Sequence, residues 1–152
     1  MSQQSTQPVF TIEKLFVKDL SLEVPNAPRV YLERATPQVE IQMNNSTNPV
    51  DDGYFEVLLK VTVTAKVGDK TMFLVEVSQG GVFQIRNVPQ AELEPLLGIT
   101  CPNILYPYVR EVVSDAVVRA GFPPVVLSPV NFEAVFQARQ QGLAQAPEGA
   151  TH

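Results

Sequence analysis

Gly98-Ile-Thr-Cys-Pro-Asn-Ile-Leu-Tyr-Pro-Tyr-Val-Arg-Glu-Val-Val-Ser-Asp-Ala-Val-Val-Arg-Ala120 is the only long run in the chain with helical spacing. Leu105, Val109, Val112, Val113, Ala116, Val117 and Ala120 recur at steps of three and four, with Arg110, Glu111, Ser114, Asp115 and Arg119 between them. Asp115 and Arg119 stand one turn apart, which predicts an ion pair on the wet side. Pro102 suits a first helical turn. Pro107 does not suit an interior, because it removes a hydrogen bond and clashes with the carbonyl four residues back. The spacing therefore predicts a short turn at 102–106 and a main helix from about 107 to 120. Gly121, Pro123 and Pro124 stop it. What precedes it is strand-like, and such a helix would cover one face of a sheet.

Working back from the helix, Phe55 to Val67 alternates apolar with polar residues and is the cleanest strand. Gly68-Asp69 reads as a two-residue hairpin turn, and Thr71 to Gln79 as the return strand. Gly80-Gly81 reads as a break, after which Val82, Phe83 and Ile85 resume the strand. Val39, Ile41 and Met43 mark another strand, followed by a polar loop from Asn44 to Asp52. Val9 to Val24 predicts a long first strand. There Phe10, Ile12, Phe16, Leu20 and Leu22 share one parity, interrupted by Leu15 and Val17, so either a bulge or two covered faces is expected. Asp19 and Glu23 hold the opposite parity. Pro25 to Pro37 is a stiff crossover carrying Val30, Tyr31 and Leu32. Gln90 to Leu97 allows a short helix. Ser128-Pro129 reads as N-cap and first residue of a last short helix with an apolar stripe of Phe132, Val135 and Phe136. The expectation is an α+β fold: a four-stranded antiparallel sheet packed on a long helix, plus a short C-terminal helix. Residues 1–8 read as disordered, 9–138 as one domain, and 139–152 as a flexible tail.

Composition narrows the function class. The chain has 152 residues, 45% apolar and only 18% charged, with net charge −5. An acidic chain is a poor match for nucleic acid and suits basic partners. Low charge with many Val, Leu and Phe suggests burial beyond one core, as at a subunit interface. The first residues lack the charged start and apolar core of a signal peptide, and no run is apolar enough for a membrane span. A cytosolic protein with no membrane insertion is expected. One cysteine excludes an internal disulfide.

Acid–base and nucleophilic catalysis need paired groups. The lone histidine, His152, ends the chain, and Cys101 reads as a residue packed at the start of the helix. Gly80-Gly81 lacks the spacing and following helix of a phosphate loop, and no cluster has metal-ligand spacing. Neither an enzyme, a cofactor nor a metal is expected. Two features remain: the carboxylates Asp19, Glu23 and Glu76, and the apolar Val30, Tyr31, Leu32, Phe132 and Phe136 on Pro-rich loops and a short helix. They fit a binding module with one acidic face and one apolar groove. The plain alternatives are an ordinary wet sheet face for the carboxylates, which their spacing alone favours, and core packing for the apolar residues.

Several segments, in order, resemble the SecB family of bacterial protein-export chaperones. They are Lys18-Asp-Leu-Ser-Leu-Glu-Val-Pro-Asn-Ala-Pro28, Val61-Thr-Val-Thr-Ala65, Phe73-Leu-Val-Glu-Val77 with Gly80-Gly81, Cys101-Pro-Asn-Ile-Leu-Tyr-Pro-Tyr108 and Pro129-Val-Asn-Phe132. The resemblance implies an ATP-independent holdase that binds unfolded precursor proteins in the cytosol, passes them to the export motor SecA, and assembles as a homotetramer, a dimer of dimers. It implies a SecA-docking face at Asp19, Glu23, Leu74 and Glu76. It implies a client groove at Val30, Tyr31, Leu32, Val39, Ile41, Met43, Phe132, Val135 and Phe136. It implies an oligomer interface at Val75, Val77 and Gln79 with Val109, Val112, Val113 and Ala116. One position departs: Ala35 stands where the family pattern has an aromatic residue. The alternatives are a similar holdase serving another system, such as a toxin–antitoxin pair, and an oligomerisation domain that holds no client and would not suppress aggregation.

Overall fold

Alternating apolar residues give the chain its sheet. In the computed structural model, which describes residues 7–145, four strands pair antiparallel: β1 (Val9–Glu23), β2 (Gln38–Asp51), β3 (Tyr54–Val67) and β4 (Lys70–Arg86), in the order β1-β4-β3-β2. The disorder expected for residues 1–6 and 146–152 lies outside the described residues. In the central pair, Val61 lies opposite Val77 and Val63 opposite Val75. Val57, Leu59, Val61, Val63 and Ala65 of β3 and Phe73, Val75, Val77, Phe83 and Ile85 of β4 are buried on one face. Each Val or Leu so buried contributes about 1.5–3 kcal/mol relative to exposure. Gly68, at φ 58, supplies the left-handed backbone of the turn between them.

Two strands run further than their sequence suggests. β4 does not break at Gly80-Gly81, which pair with Phe16 and Leu15 of β1. Those glycines are required by close approach. A Cβ on Gly80 would lie 2.6 Å from the Phe16 ring, and one on Gly81 would lie 2.7 Å from the Phe83 ring. β2 continues through the polar stretch predicted as a loop, reaching Asp51. It is an edge strand, so Asn, Ser and Thr can be solvated without leaving the ladder, and Pro49 falls beside the irregularity at Pro49/Asp51.

The helical layer also differs from expectation. α1 (Gln90–Pro95), a π-turn (Leu96–Thr100) and α2 (Cys101–Arg119) follow without interruption, and the Cys101 N–H donates to the Leu96 carbonyl five residues back. Pro107 sits inside α2 after all. It is exposed, as is Asn103, whose carbonyl loses its partner. The penalty of about 3 kcal/mol is outweighed by burial of Leu105, Tyr106 and Val109. α2 ends as predicted at Gly121, with Gly121 N–H donating to Val118 at 2.9 Å and Phe122 N–H to Val117 at 3.2 Å. The predicted Asp115–Arg119 pair forms at 2.9 Å.

After α2 an extended strap returns along the helix. The Tyr106 hydroxyl donates to the Ser128 carbonyl. That bond holds Ser128 in the strap, so it is not the N-cap. α3 (Phe132–Gln145) begins three residues beyond Pro129, capped by Asn131, whose Oδ1 accepts the Ala134 N–H at 3.0 Å. α3 also continues past residue 138, into the stretch read as tail.

α2 packs on β4 and β3. The edge strands β1 and β2 therefore keep apolar side chains on the same sheet face only partly covered.

Candidate functional site

The register of β1 sorts its side chains between the two faces. Bulges between Ile12 and Lys14 and between Val17 and Asp19 each insert one residue, Glu13 and Lys18. Phe10, Ile12, Val17, Leu20 and Leu22 consequently share the helix-side face, opposite Ile85, Phe83, Gln79, Val77 and Val75. Phe16, read as sharing their face, is carried to the other side, where it covers Gly80 against Leu58. All five helix-side residues stay more than a third exposed. Of the two alternatives that Leu15 and Val17 left open in the sequence, the bulge is the one present, and spacing alone did not show that α2 packs on β4 and β3 and leaves this edge open.

The outer face carries the predicted acidic group. Asp19 lies opposite Ser78, Ser21 opposite Glu76 and Glu23 opposite Leu74, so Asp19, Glu23, Leu74 and Glu76 share one face and adjacent strands. Glu76 Oε2 accepts the Thr62 hydroxyl at 2.8 Å and lies 3.6 Å from Lys60 Nζ. Asp19 and Glu23 are exposed and in no ion pair among the described residues. Their charge is available to a partner, whereas that of Glu76 is partly used.

The predicted groove residues divide. Val39, Ile41 and Met43 lie opposite Ala65, Val63 and Val61, on the helix-side face of edge strand β2, with Val39 46% and Ile41 45% exposed. α3 reaches the same strand, where Arg139 Nη1 donates to Asn45 Oδ1 at 3.0 Å. Val135 is exposed. Phe136 is half-buried over the π-turn, where a Cβ on Gly98 would lie 2.5 Å from its ring. Tyr31 is half-exposed, but its hydroxyl donates to the Ala120 carbonyl at 2.7 Å and its ring stacks on Phe122 at 5.3 Å. Leu32 projects into solvent. Ala35 donates its N–H to the Glu33 carboxylate at 3.1 Å. Val30 and Phe132, expected in the groove, are instead buried in the chain's core, Phe132 with its ring edge-on to Tyr106 at 5.6 Å.

Nor do the predicted oligomer-interface residues present a surface. Val75, Val77, Val109 and Val113 are fully buried within the single chain, and Ala116 and Gln79 nearly so; only Val112 is half-buried. They form the seam between α2 and the sheet. Among the described residues Gln79 Oε1 has no hydrogen-bond partner.

Cys101 is fully buried at the start of α2, and burial pushes its thiol up to about 12. It stays protonated at neutral pH, which suits packing rather than nucleophilic chemistry. Alkylation by iodoacetamide at pH 8 is expected to be negligible in the native state and to rise only with denaturant. Rapid native labelling would contradict the placement.

Among the described residues no helix is long and apolar enough to cross a membrane. A family model described as preprotein translocase subunit SecB matches residues 3–142. The protein-export protein SecB of Nitrosospira multiformis is 64% identical over 141 residues, covering 93% of this chain and 89% of the relative. That of Dechloromonas aromatica is 63% identical over 145 residues, covering 95% of each. Among solved structures, a Mycobacterium tuberculosis SecB-like chaperone in complex with an antitoxin's ChAD peptide matches with a TM-score of 0.66 and 18% identity, covering 80% of this chain and 90% of that one.

Proposed function

The chain belongs to the SecB family and is a chaperone of the protein-export class, and we propose that it holds unfolded precursor proteins along the helix-side face of β2. The observation that carries this reading is the half-exposed row Val39, Ile41 and Met43 on a strand whose outer edge is unpaired among the described residues. An extended client laid there removes apolar area from water on both partners, at about 25 cal/mol per Å². The free edge of β2 offers it backbone hydrogen bonds. Val135 and Phe136 border the row from α3, and Tyr31 and Leu32 extend it at the crossover. No step of this mechanism uses nucleotide energy. A photo-crosslinker at position 41 is expected to capture an unfolded client but not the same client once folded. Equal capture of both, or of neither, would sink the assignment.

Two finer elements belong to the same reading. Assembly as a tetramer, a dimer of dimers, is supported by the exposed β1 row of Phe10, Ile12, Val17, Leu20 and Leu22, which a second copy would cover. Repetition of weak client sites around such an assembly makes later contacts intramolecular and raises avidity. Delivery to SecA in the cytosol is supported by the acidic outer face, which suits a basic partner surface. Since Asp19 and Glu23 are exposed and form no ion pair among the described residues, a double Asp19→Asn, Glu23→Gln variant is expected to keep its melting temperature. Surface changes of this kind usually alter stability by less than about 0.5 kcal/mol. It is expected to bind SecA more weakly, with the largest difference at low salt. Unchanged SecA affinity would remove the docking assignment. The antitoxin peptide in the Mycobacterium tuberculosis structure points to a second client class. The export reading is preferred because relatives named for export are 63–64% identical over nearly the whole chain, against 18% for that chaperone.

A further inference from the structure

Among the described residues the Glu76 carboxylate is held at one oxygen only. On the outer face of the sheet Thr62 of β3 lies opposite it, and Lys60 lies one step along the same face, opposite Ser78. The Thr62 hydroxyl donates to Glu76 Oε2 at 2.8 Å. Lys60 Nζ stands 3.6 Å from the same oxygen, close enough to attract but beyond hydrogen-bond reach. A second acid on this face is arranged differently. Glu56 Oε2 accepts Lys18 Nζ at 2.9 Å and its side chain is only 15% exposed, a closed pair, whereas the Glu76 side chain is 34% exposed and its pair is loose. An unrestrained glutamate samples several rotamers, and ordering one of them is a cost that binding must meet. The Thr62 bond meets much of that cost in advance. Lys60 acts the other way, because its ammonium stands where a partner's cation must come and repels it.

We propose that Thr62 is a positioning residue for docking, holding the Glu76 carboxylate with Oε1 toward the partner, and that Lys60 lowers the affinity by competing for the same carboxylate. The inference rests on the SecA-docking reading of the acidic face and divides that face into two roles. Asp19 and Glu23, exposed and in no ion pair among the described residues, speed encounter with a basic surface. Glu76, already oriented, slows release.

The test reads association and dissociation rates of SecA on the immobilised full-length protein at low salt. Thr62→Val keeps the β-branched shape and removes the hydroxyl. It is expected to speed dissociation about fivefold, with association and melting temperature unchanged. Thr62→Ser restores a hydroxyl and is expected to behave like the parent. In a Glu76→Ala background Thr62→Val is expected to have no further effect, since the two side chains act as one unit. Lys60→Met is expected to slow dissociation about threefold. Lys66→Met removes the same charge from the same strand away from Glu76 and is expected to leave dissociation unchanged. An unchanged dissociation rate in Thr62→Val, an equal effect of Thr62→Val with and without Glu76, or equal effects of Lys60→Met and Lys66→Met would overturn the proposal while leaving the docking reading intact. Parent-like SecA binding by both Glu76→Ala and the Asp19→Asn, Glu23→Gln variant would overturn the docking reading itself.

Discussion

Replacing Val77 with Asp is expected to abolish the folded state. Val77 has no exposed surface and lies between Leu20 and Val61 on the sheet face beneath α2. A carboxylate there has no partner, and the charged form costs several kcal/mol to bury or must protonate to persist. Against a domain stability of about 5–15 kcal/mol, that is enough to populate the unfolded chain. Val77→Ala leaves a void but no charge and is expected to cost about 2 kcal/mol and remain folded. Circular dichroism melting read beside sedimentation separates the cases. A folded Val77→Asp chain of lower mass would mean that this residue acts at a subunit contact.

The second large effect lies in α3. Phe132→Ser is expected to lower stability by about 3–5 kcal/mol, because the ring is buried against Tyr106 and its removal leaves a cavity. Phe136→Ser is expected to cost less, about 1–2 kcal/mol, since that ring is half-buried over Gly98. It is instead expected to weaken client binding at temperatures where the variant is fully folded. Melting temperature and client affinity measured on the same samples give opposite rankings for the two residues. Identical rankings would show that both are simply core.

The contrast between these neighbours marks what the sequence could reveal. The period of 3.6 in Leu105 to Ala120 and the period of two in Phe55 to Val67 each identified an element and its buried side, because each faces one core across its whole length. The Gly121 stop and the Asp115–Arg119 pair were equally legible, being local. Pro107 misled because its penalty is local while the burial that overrides it comes from the sheet. Gly80-Gly81 misled because a glycine needed for the passage of Phe16 and Phe83 looks, in sequence, like one needed for a turn. The acidic face survived into the structure because Asp19 and Glu23 lie beyond both bulges, where alternation is regular again. Of the β1 apolar row, Phe10, Ile12, Leu20 and Leu22 still share a face because the two bulges offset each other, and only Phe16, between them, changes side. Whether an apolar residue is groove or core cannot be read from its own spacing. Val30 and Val39 look alike in sequence, but the crossover folds Val30 into the core while Val39 stands on edge strand β2, away from the β4 and β3 strands on which α2 packs.

The most direct test of a holdase is light scattering by a chemically denatured protein diluted into buffer with and without this chain. Scattering is expected to be suppressed in proportion to the chain added, without nucleotide, and much less by an Ile41→Asp variant that melts like the parent. Full aggregation in the presence of the folded parent chain, or equal suppression by the Ile41→Asp variant, would contradict client holding on the β2 face.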